Sequence, residues 1–424
     1  MTTNIANGAD QAQVLQAVGL FTANMQRPTN MNRLSGEFPD QTKAESNLRN
    51  QTSIEVPIVR CKDLAKTPGD EITFDFVNPT GGKPIMGSRM AQGRGVSMVF
   101  DQDRLRIDQS RYVVSGGNKM SQKRTKHQLR KLALANSFGF MDRCQDQRAL
   151  IHMAGSRGFH DTVEWAVPLA SDPDFADIMV NAVLAPTNNR HYLAAGNYIE
   201  KFNASGSEVG ITTTDVLNMG VVDSIASLLD EMPLAPGACK FKGDVMASDS
   251  PIRILLVSSA QYSAFATQAT FRTLQAQAYQ RASAAGNLAL FRGDVGLWNG
   301  VMIVKMPKPI RFYAGNAINW CATASSETET TTDLVPASFT AGTYAVDRML
   351  LLGAQALAEG YGSNATSGVP FFFEEEETDF KDKLEVMCGL VDGKSKVRFD
   401  IDHGPDGVLP TDFGVIAIDT AVHL

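Results

Sequence analysis

The sequence predicts an α+β protein whose parts do not close on themselves. Three observations point there. Residues 58–115 carry strand signals around a glycine-rich middle, residues 119–154 hold a long helical pattern without proline, and residues 383–422 return to strands.

The first stretch predicts a long hairpin. "EITFDFV" (71–77) alternates apolar and polar residues, "GGKPIMGSRMAQGRG" (81–95) has five glycines, and "VSMVFDQDRLRID" (96–108) resumes the strand. Arms of about 20 residues at about 3.3 Å each would reach roughly 65 Å, too far for a compact domain, so the projection needs a partner surface. The helix over 119–154 places Leu129, Leu132, Ala133, Asn136 and Phe140 near one face and Leu134, Phe138 and Met141 on another. At about 35 residues it would be about 52 Å long, and it is too apolar on two sides to lie alone on a surface.

The remaining segments follow from local signals. Residues 1–56 are rich in Asn, Gln, Thr and Met, with one short periodic piece at 14–21, and read as an arm that orders on contact. "TTTDVLNMGVVDSIASLLDEM" (212–232) predicts a helix with threonine at its N-cap and Pro233 as its stop. A strand over 252–259 and a helical run over 260–284 follow, and residues 322–343 are of low complexity, as in a surface loop or insertion. "VDRMLLLGAQALAEGYG" (346–362) reads as a short apolar helix, 383–399 as two strands around the turn "VDGKS", and 413–422 as a closing strand.

Composition narrows the function. With 43% apolar and 20% charged residues in 424, the chain can build real cores; a net charge of -7 argues against coating nucleic acid with a basic surface. The first residues lack a signal peptide, and the longest apolar run, 349–358, is too short to span a bilayer, so a protein made in the cytoplasm and free of membrane is expected. Five scattered cysteines without a C-x-x-C pair predict reduced thiols, and the six histidines match no metal motif. No catalytic, cofactor or metal site is expected. Asp101 and Asp103 read as solvating a strand edge. Gly293, Gly296 and Gly300 fit no nucleotide loop and precede a strand, which predicts a tight turn; an α/β enzyme using the 293–300 loop is the alternative from another class.

Charge is distributed unevenly. Between Arg104 and Lys131 lie nine Lys or Arg (104, 106, 111, 119, 123, 124, 126, 130, 131) against Asp108 alone; "EEEETDFKDKLE" (374–385) holds seven acids and two lysines. Such blocks are either solvated faces or complementary contacts between copies, with a DNA patch as a third reading. As intersubunit contacts the candidates are Arg104, Arg106, Arg111, Lys123, Arg124 and Arg130 against Glu374, Glu375, Glu376 and Glu377.

"LRIDQSRYVV" (105–114) and the basic helix after it, then "RILLVSSAQYSAF" (253–265), "FRGDVGLWNGVMIVKMPKP" (291–309), "DRMLLLGAQALAEGYG" (347–362), "LVDGKSKVRFD" and "DFGVIAIDTA" (412–421), occur in an order that resembles tailed-phage major capsid proteins of the N4-like podophage branch. The resemblance covers about 55–424. It implies a Hong Kong 97-type phage capsid fold: N-terminal arm (1–57), E-loop hairpin (58–118), spine helix of the P-domain (119–160), P-domain continuation with an insertion (161–250), A-domain with surface loop 322–343 (251–373), and a return to the P-domain (374–424). It implies a non-enzymatic shell subunit of the virion, assembled in the host bacterial cytoplasm as hexamers and pentamers around double-stranded DNA without sequence-specific binding. Expected partners are a separate scaffolding protein, a portal protein and, optionally, a decoration protein. The extra length at 160–210 and 322–343 has no assigned purpose. Lys83, at the hairpin tip, is the position for a Lys–Asn crosslink of the kind some relatives form. An encapsulin-like compartment with enzyme cargo is the alternative within the fold.

Overall fold

The computed structural model describes residues 55–61, 70–77, 83–95, 100–239, 252–272, 295–363 and 369–424, apart from 88–89, 94, 270, 328–329, 341 and 404–406. The arm over 1–54, Gly293 and the end of the helical run at 273–284 lie outside them.

One sheet is organised by a fourteen-residue strand, β18 (Lys383–Lys396). β4 (Asp108–Asn118) pairs with one of its edges. β17 (Phe371–Thr378) and then β16 (Leu357–Tyr361) share the other edge, all antiparallel, and β1 (Ile58–Cys61) extends the sheet in parallel beyond β16. "VDGKS" is therefore no turn but the middle of β18. Gly393 is needed there because a Cβ would stand 2.0 Å from the Arg106 carbonyl oxygen. Asp392 and Lys394, which read as turn residues, are fully buried in an ion-pair network.

The second sheet has eight strands: β10 (Val295–Trp298), β11 (Val301–Lys305), β9 (Arg253–Val257), β15 (Tyr344–Leu352), β21 (Val415–His423), β5 (His191–Ala195) and β6 (Tyr198–Lys201) in that order, with β12 (Ile310–Phe312) beside β15. Residues 346–362, expected as a helix, form β15 and β16. All but the first residue of β15 are buried, and a strand covered on both faces shows no period of two in its sequence.

The helix expected over 119–154 is divided. α1 (Lys119–Arg124) is capped by Asn118, whose Oδ1 accepts from Ser121 N at 2.7 Å, and ends at an extended Thr125. Thr125 Oγ1 accepts the His127 N–H at 3.2 Å, a local bond that competes with helix continuation. α2 (Leu129–Ala154) is the 26-residue helix, closed by Gly155 in the left-handed region. A short helix, α3 (Phe175–Met179), follows. The helix expected from Thr212 begins later, as α4 (Met219–Glu231), because Asn218 accepts the Val221 N–H at 2.9 Å. Thr212 bonds Asp215 instead, while the stop before Pro233 is where the sequence predicts it. α5 (Ser259–Ala266) opens with a capping box on Ser258 and Gln261.

α4 and α5 pack on one face of the eight-stranded sheet around Leu255, Val257, Leu351 and Ile418; the C-terminal half of α2 packs on the other around Leu256, Leu350 and Ala417. The extra lengths of chain fold together. β7 (Ala204–Ser205) and β8 (Glu208–Val209) join β13 (Ala317–Trp320) and β14 (Thr331–Leu334) in one small sheet. Residues 322–343 are thus more than a surface loop: they supply β14 and the buried Val335 and Phe339. β19 (Arg398–Asp402) and β20 (Val408–Asp412) form a two-stranded ribbon. The hairpin expected over 58–115 pairs over a shorter span, β2 (Glu71–Val77) with β3 (Phe100–Arg106), since β1 and β4 belong to the β18 sheet.

Buried ion pairs pin α2. Arg148 Nη1 reaches Asp392 at 2.8 Å, Lys394 pairs with both Asp392 and Glu359, and Arg60 reaches Glu359 at 2.8 Å, which links β1, β16, β18 and the helix. At the helix end, Arg348 donates to the Ala154 carbonyl at 3.0 Å and grips Asp419 with two bonds of 2.7 and 2.8 Å. Burial alone would raise Asp392, but Arg148 and Lys394 hold it down to about 2. Arg348 likewise overrides burial and holds Asp419 well below the usual carboxylate range. Replacing Arg348 by Met strands the Asp419 charge in the core, and urea unfolding is expected to show a loss of about 3–5 kcal/mol. Both carboxylates contribute stability that is full above their unfolded range and is lost as pH falls through it, so the wild-type urea midpoint should drop below about pH 4.

Candidate functional site

The β18 sheet has two unlike faces. Alternation places Tyr112, Cys388, Leu390 and Phe371 on the side that α2 covers: Tyr112 stacks on Phe140 with ring centroids 3.8 Å apart, and Phe138 meets Phe371 at 5.3 Å. Arg111, Val113, Met387, Glu385, Glu374 and Glu376 fall on the opposite side by the same register. That side is open. Val113 is 51% exposed, and Arg111, Glu374 and Glu376 are exposed as well. Phe372 is buried against Gly389, where a Cβ would come within 2.3 Å of the ring.

Of the ten residues predicted as intersubunit contacts, the fold joins Arg130 to Glu375, with the charge of Glu377 near the same guanidinium. Arg130, at the start of α2, forms a two-pronged pair with Glu375 of the same chain, at 2.9 Å from Nε and 2.5 Å from Nη2. Arg104 and Arg106 project from the hairpin root and are exposed; the buried Leu105 between them, together with Ile107, anchors the strand. Lys123 is exposed on α1 and Arg124 is half-buried. Glu377 is exposed at the end of β17, whose only ladder among the described residues is with β18. Lys83 is exposed too.

Two features escape sequence reasoning. Asp101 and Asp103 do not solvate a free edge: their carboxylates accept the backbone N–H groups of Asp400 at 2.6 Å and Arg398 at 3.1 Å. The apolar margin of the sheet, with Phe373 55% and Phe371 41% exposed, is hidden in "PFFFEEEE", where the acids dominate the pattern.

A family model described as phage capsid protein matches residues 4–424. The chain belongs to that family. Solved structures share the fold. The capsid of Ralstonia phage GP4 is 21% identical with a TM-score of 0.69, over 100% of this chain and 98% of that one. The cyanophage Pam1 capsid asymmetric unit is 15% identical with a TM-score of 0.59, over 96% and 99%. The capsid of Helicobacter pylori bacteriophage KHP30 is 13% identical with a TM-score of 0.56, over 98% of both. A comparison with curated proteins gives no match.

This capsid chain is a structural protein of the virion, a shell former with the phage capsid fold, and the matches do not favour the enzyme-cargo compartment. The glycine loop agrees with a structural role. Asn299 and Gly300, both at positive φ, make the two-residue turn between β10 and β11, as expected of a tight turn, whereas Gly296, expected in the same turn, lies inside β10 opposite Ile303. All five cysteines are buried thiols, and no described helix is long and apolar enough to cross a membrane.

The two kinds of contact at this sheet should separate experimentally. A double-mutant cycle on Tyr112 and Phe140 is expected to give a coupling of about 0.5–1.5 kcal/mol that is indifferent to salt. The Arg130–Glu375 cycle, on a pair whose arginine side chain is 66% exposed, should give a coupling that fades in high salt.

Proposed function

We propose that this chain is the major capsid protein of a tailed bacteriophage of the N4-like kind, whose copies assemble as hexamers and pentamers into an icosahedral shell around double-stranded DNA. The observation that carries the reading is the pairing of a projecting hairpin with an open sheet face. A sheet with one face packed and the other bearing Val113, Met387 and a row of charges presents a surface for another subunit. The hairpin, with Arg104 and Arg106 exposed at its root, is the element that leaves the body to meet such a surface.

In this reading the hairpin of one subunit lies over the sheet of the next. Arg104, Arg106, Arg111, Lys123 and Arg124 then approach Glu374 and Glu376 of a neighbour, and charge pairing sets register and encounter rate more than affinity. Arg130 and Glu375 have a different part: their contact within the subunit ties β17 to the start of α2 and holds the acidic strand in place. Assembly takes place in the host cytoplasm with a separate scaffolding protein, and the finished shell holds a portal and accommodates a decoration protein. Lys83, an exposed residue, is the position proposed for a crosslink.

Electron microscopy of the chain co-expressed with its scaffolding protein should show closed shells; a stable monomer under every condition overturns the reading. The contact is tested by charge reversal. Arg104→Glu with Arg106→Glu is expected to lower shell yield strongly while far-UV circular dichroism stays unchanged. Adding Glu374→Lys and Glu376→Lys should restore part of it. Full yield from the first pair of substitutions removes the electrostatic contact.

A further inference from the structure

Lys394 is a buried lysine shared between two carboxylates that each have an arginine of their own. Asp392 is held by Arg148 at 2.8 Å and Glu359 by Arg60 at 2.8 Å; Lys394 Nζ touches both, with Glu359 Oε1 at 3.0 Å. An arginine stays charged, but an ammonium can give up its proton, and with Lys394 neutral each carboxylate keeps its arginine. Cys144 and Tyr361 beside the cluster stay neutral, because burial pushes the thiol and the phenol up. Lys394 Nζ has one more contact. It donates to Oε1 of Gln145, three residues before Arg148 on the same side of α2. The amide carbon is one C=O bond, about 1.2 Å, beyond that oxygen, which brings it within the range of about 3.5 Å from which an amine attacks. Gln145 Nε2 in turn donates to Asp392 Oδ1 at 3.4 Å, while Asp392 Oδ2 accepts from Lys394 Nζ. One carboxylate thus touches both the amine and the amide nitrogen. Arg148, 1% exposed, keeps two buried donors, Nε and Nη2, without a partner.

We infer that Lys394 and Gln145 form an isopeptide bond that staples α2 to β18 within one chain. The ammonium passes a proton to Glu359, and the neutral amine adds to the Gln145 amide carbon. The spare donors of Arg148 are at hand for the oxygen on which negative charge then develops. Asp392 carries a proton from Nζ to Nε2, the bond from the amide carbon to Nε2 breaks, and ammonia leaves with the proton that Glu359 held. An ammonium and a primary amide have become a secondary amide and an ammonium ion, and nothing is oxidised or reduced. Arg148 and Lys394 together hold Asp392 down, and losing the lysine charge removes one of the two, which frees the carboxylate to relay a proton. Gln145 is half-buried, so ammonia has a way out. Gln147 is no substitute, since its amide serves the Glu164 carbonyl at 2.8 Å and the Ala166 N–H at 2.7 Å. The product keeps the pairs Arg148–Asp392 and Arg60–Glu359 and makes the register of α2 on the sheet covalent. This is a property of the single folded chain and does not depend on what the subunit assembles into.

Mass spectrometry of the folded, full-length chain tests it. The wild type is expected to weigh about 17 Da less than its sequence, the mass of one ammonia, whereas Gln145→Leu and Lys394→Met should each have the full mass of theirs. Asparagine cyclisation also releases ammonia, so tryptic mapping locates the loss: peptide 144–148 should be joined to peptide 384–396, which is left uncut at Lys394. Wild-type protein at full mass, with both stretches recovered as linear peptides, overturns the crosslink. So does a loss that persists in Gln145→Leu or maps to other residues.

Discussion

Everything in this subunit is referred to α2, and α2 is fixed by charge buried where charge is costly. Arg148, Asp392, Lys394 and Glu359 are all at or near zero exposure, and Arg348 with Asp419 repeats the arrangement at the helix end. Desolvating such groups offsets most of what their attraction returns, so they contribute less to net stability than a hydrophobic core of equal volume would. What they contribute is registry. A sliding or rotated helix would part Arg148 from Asp392 on the β18 sheet and Arg348 from the Ala154 carbonyl on the other. An apolar interface of Leu and Ile tolerates small shifts; this one does not.

That registry matters because one face of the β18 sheet is left open. α2 decides which face is covered, and strand alternation then decides which side chains the other presents: Arg111 and Val113 from β4, Met387 from β18, Glu374 and Glu376 from β17. The same alternation puts Glu375 on the helix side, where Arg130 takes it. An acidic run that looks uniform in sequence is therefore divided by the pleat, one carboxylate used within the subunit and its neighbours left for solvent or for another copy.

How much of this is legible follows from what is buried on how many sides. β4 and much of α2 are readable, as are the hairpin's existence and the basic and acidic blocks, because one face of each stays polar; β21, buried in all but its last residue, is readable from its Val and Ile content instead. β15 reads as a helix because burial on both faces erases the alternation that identifies a strand. "VDGKS" reads as a turn because glycine flanked by charge usually is one. In the fold, Gly393 makes room for the Arg106 carbonyl, and its charged neighbours are the ion-pair network itself. Asp101 and Asp103 read as solvating groups since nothing local reveals a partner about 300 residues away. The contact candidates are visible as charge, but not that Arg130 and Glu375 meet within one chain.

The contrast between α2 and the hairpin shows how one chain serves two needs. Inside, ion pairs of zero exposure fix elements that must not move, and replacing a member strips a buried charge of one of its partners. At the hairpin root, Leu105 and Ile107 pack with Val397, Phe399 and Ile401, and two carboxylate hooks stand beside that apolar contact, with Asp101 and Asp103 only partly covered. A continuous backbone ladder between β3 and β19 would have made the hairpin an extension of the body, able to turn only by unzipping a sheet. Side-chain hooks can be released and remade while both strands keep their own partners, β2 and β20. Leu105 and Ile107 fix the root in the body's core, and Asp103 and Asp101 carry the attachment outward along β3.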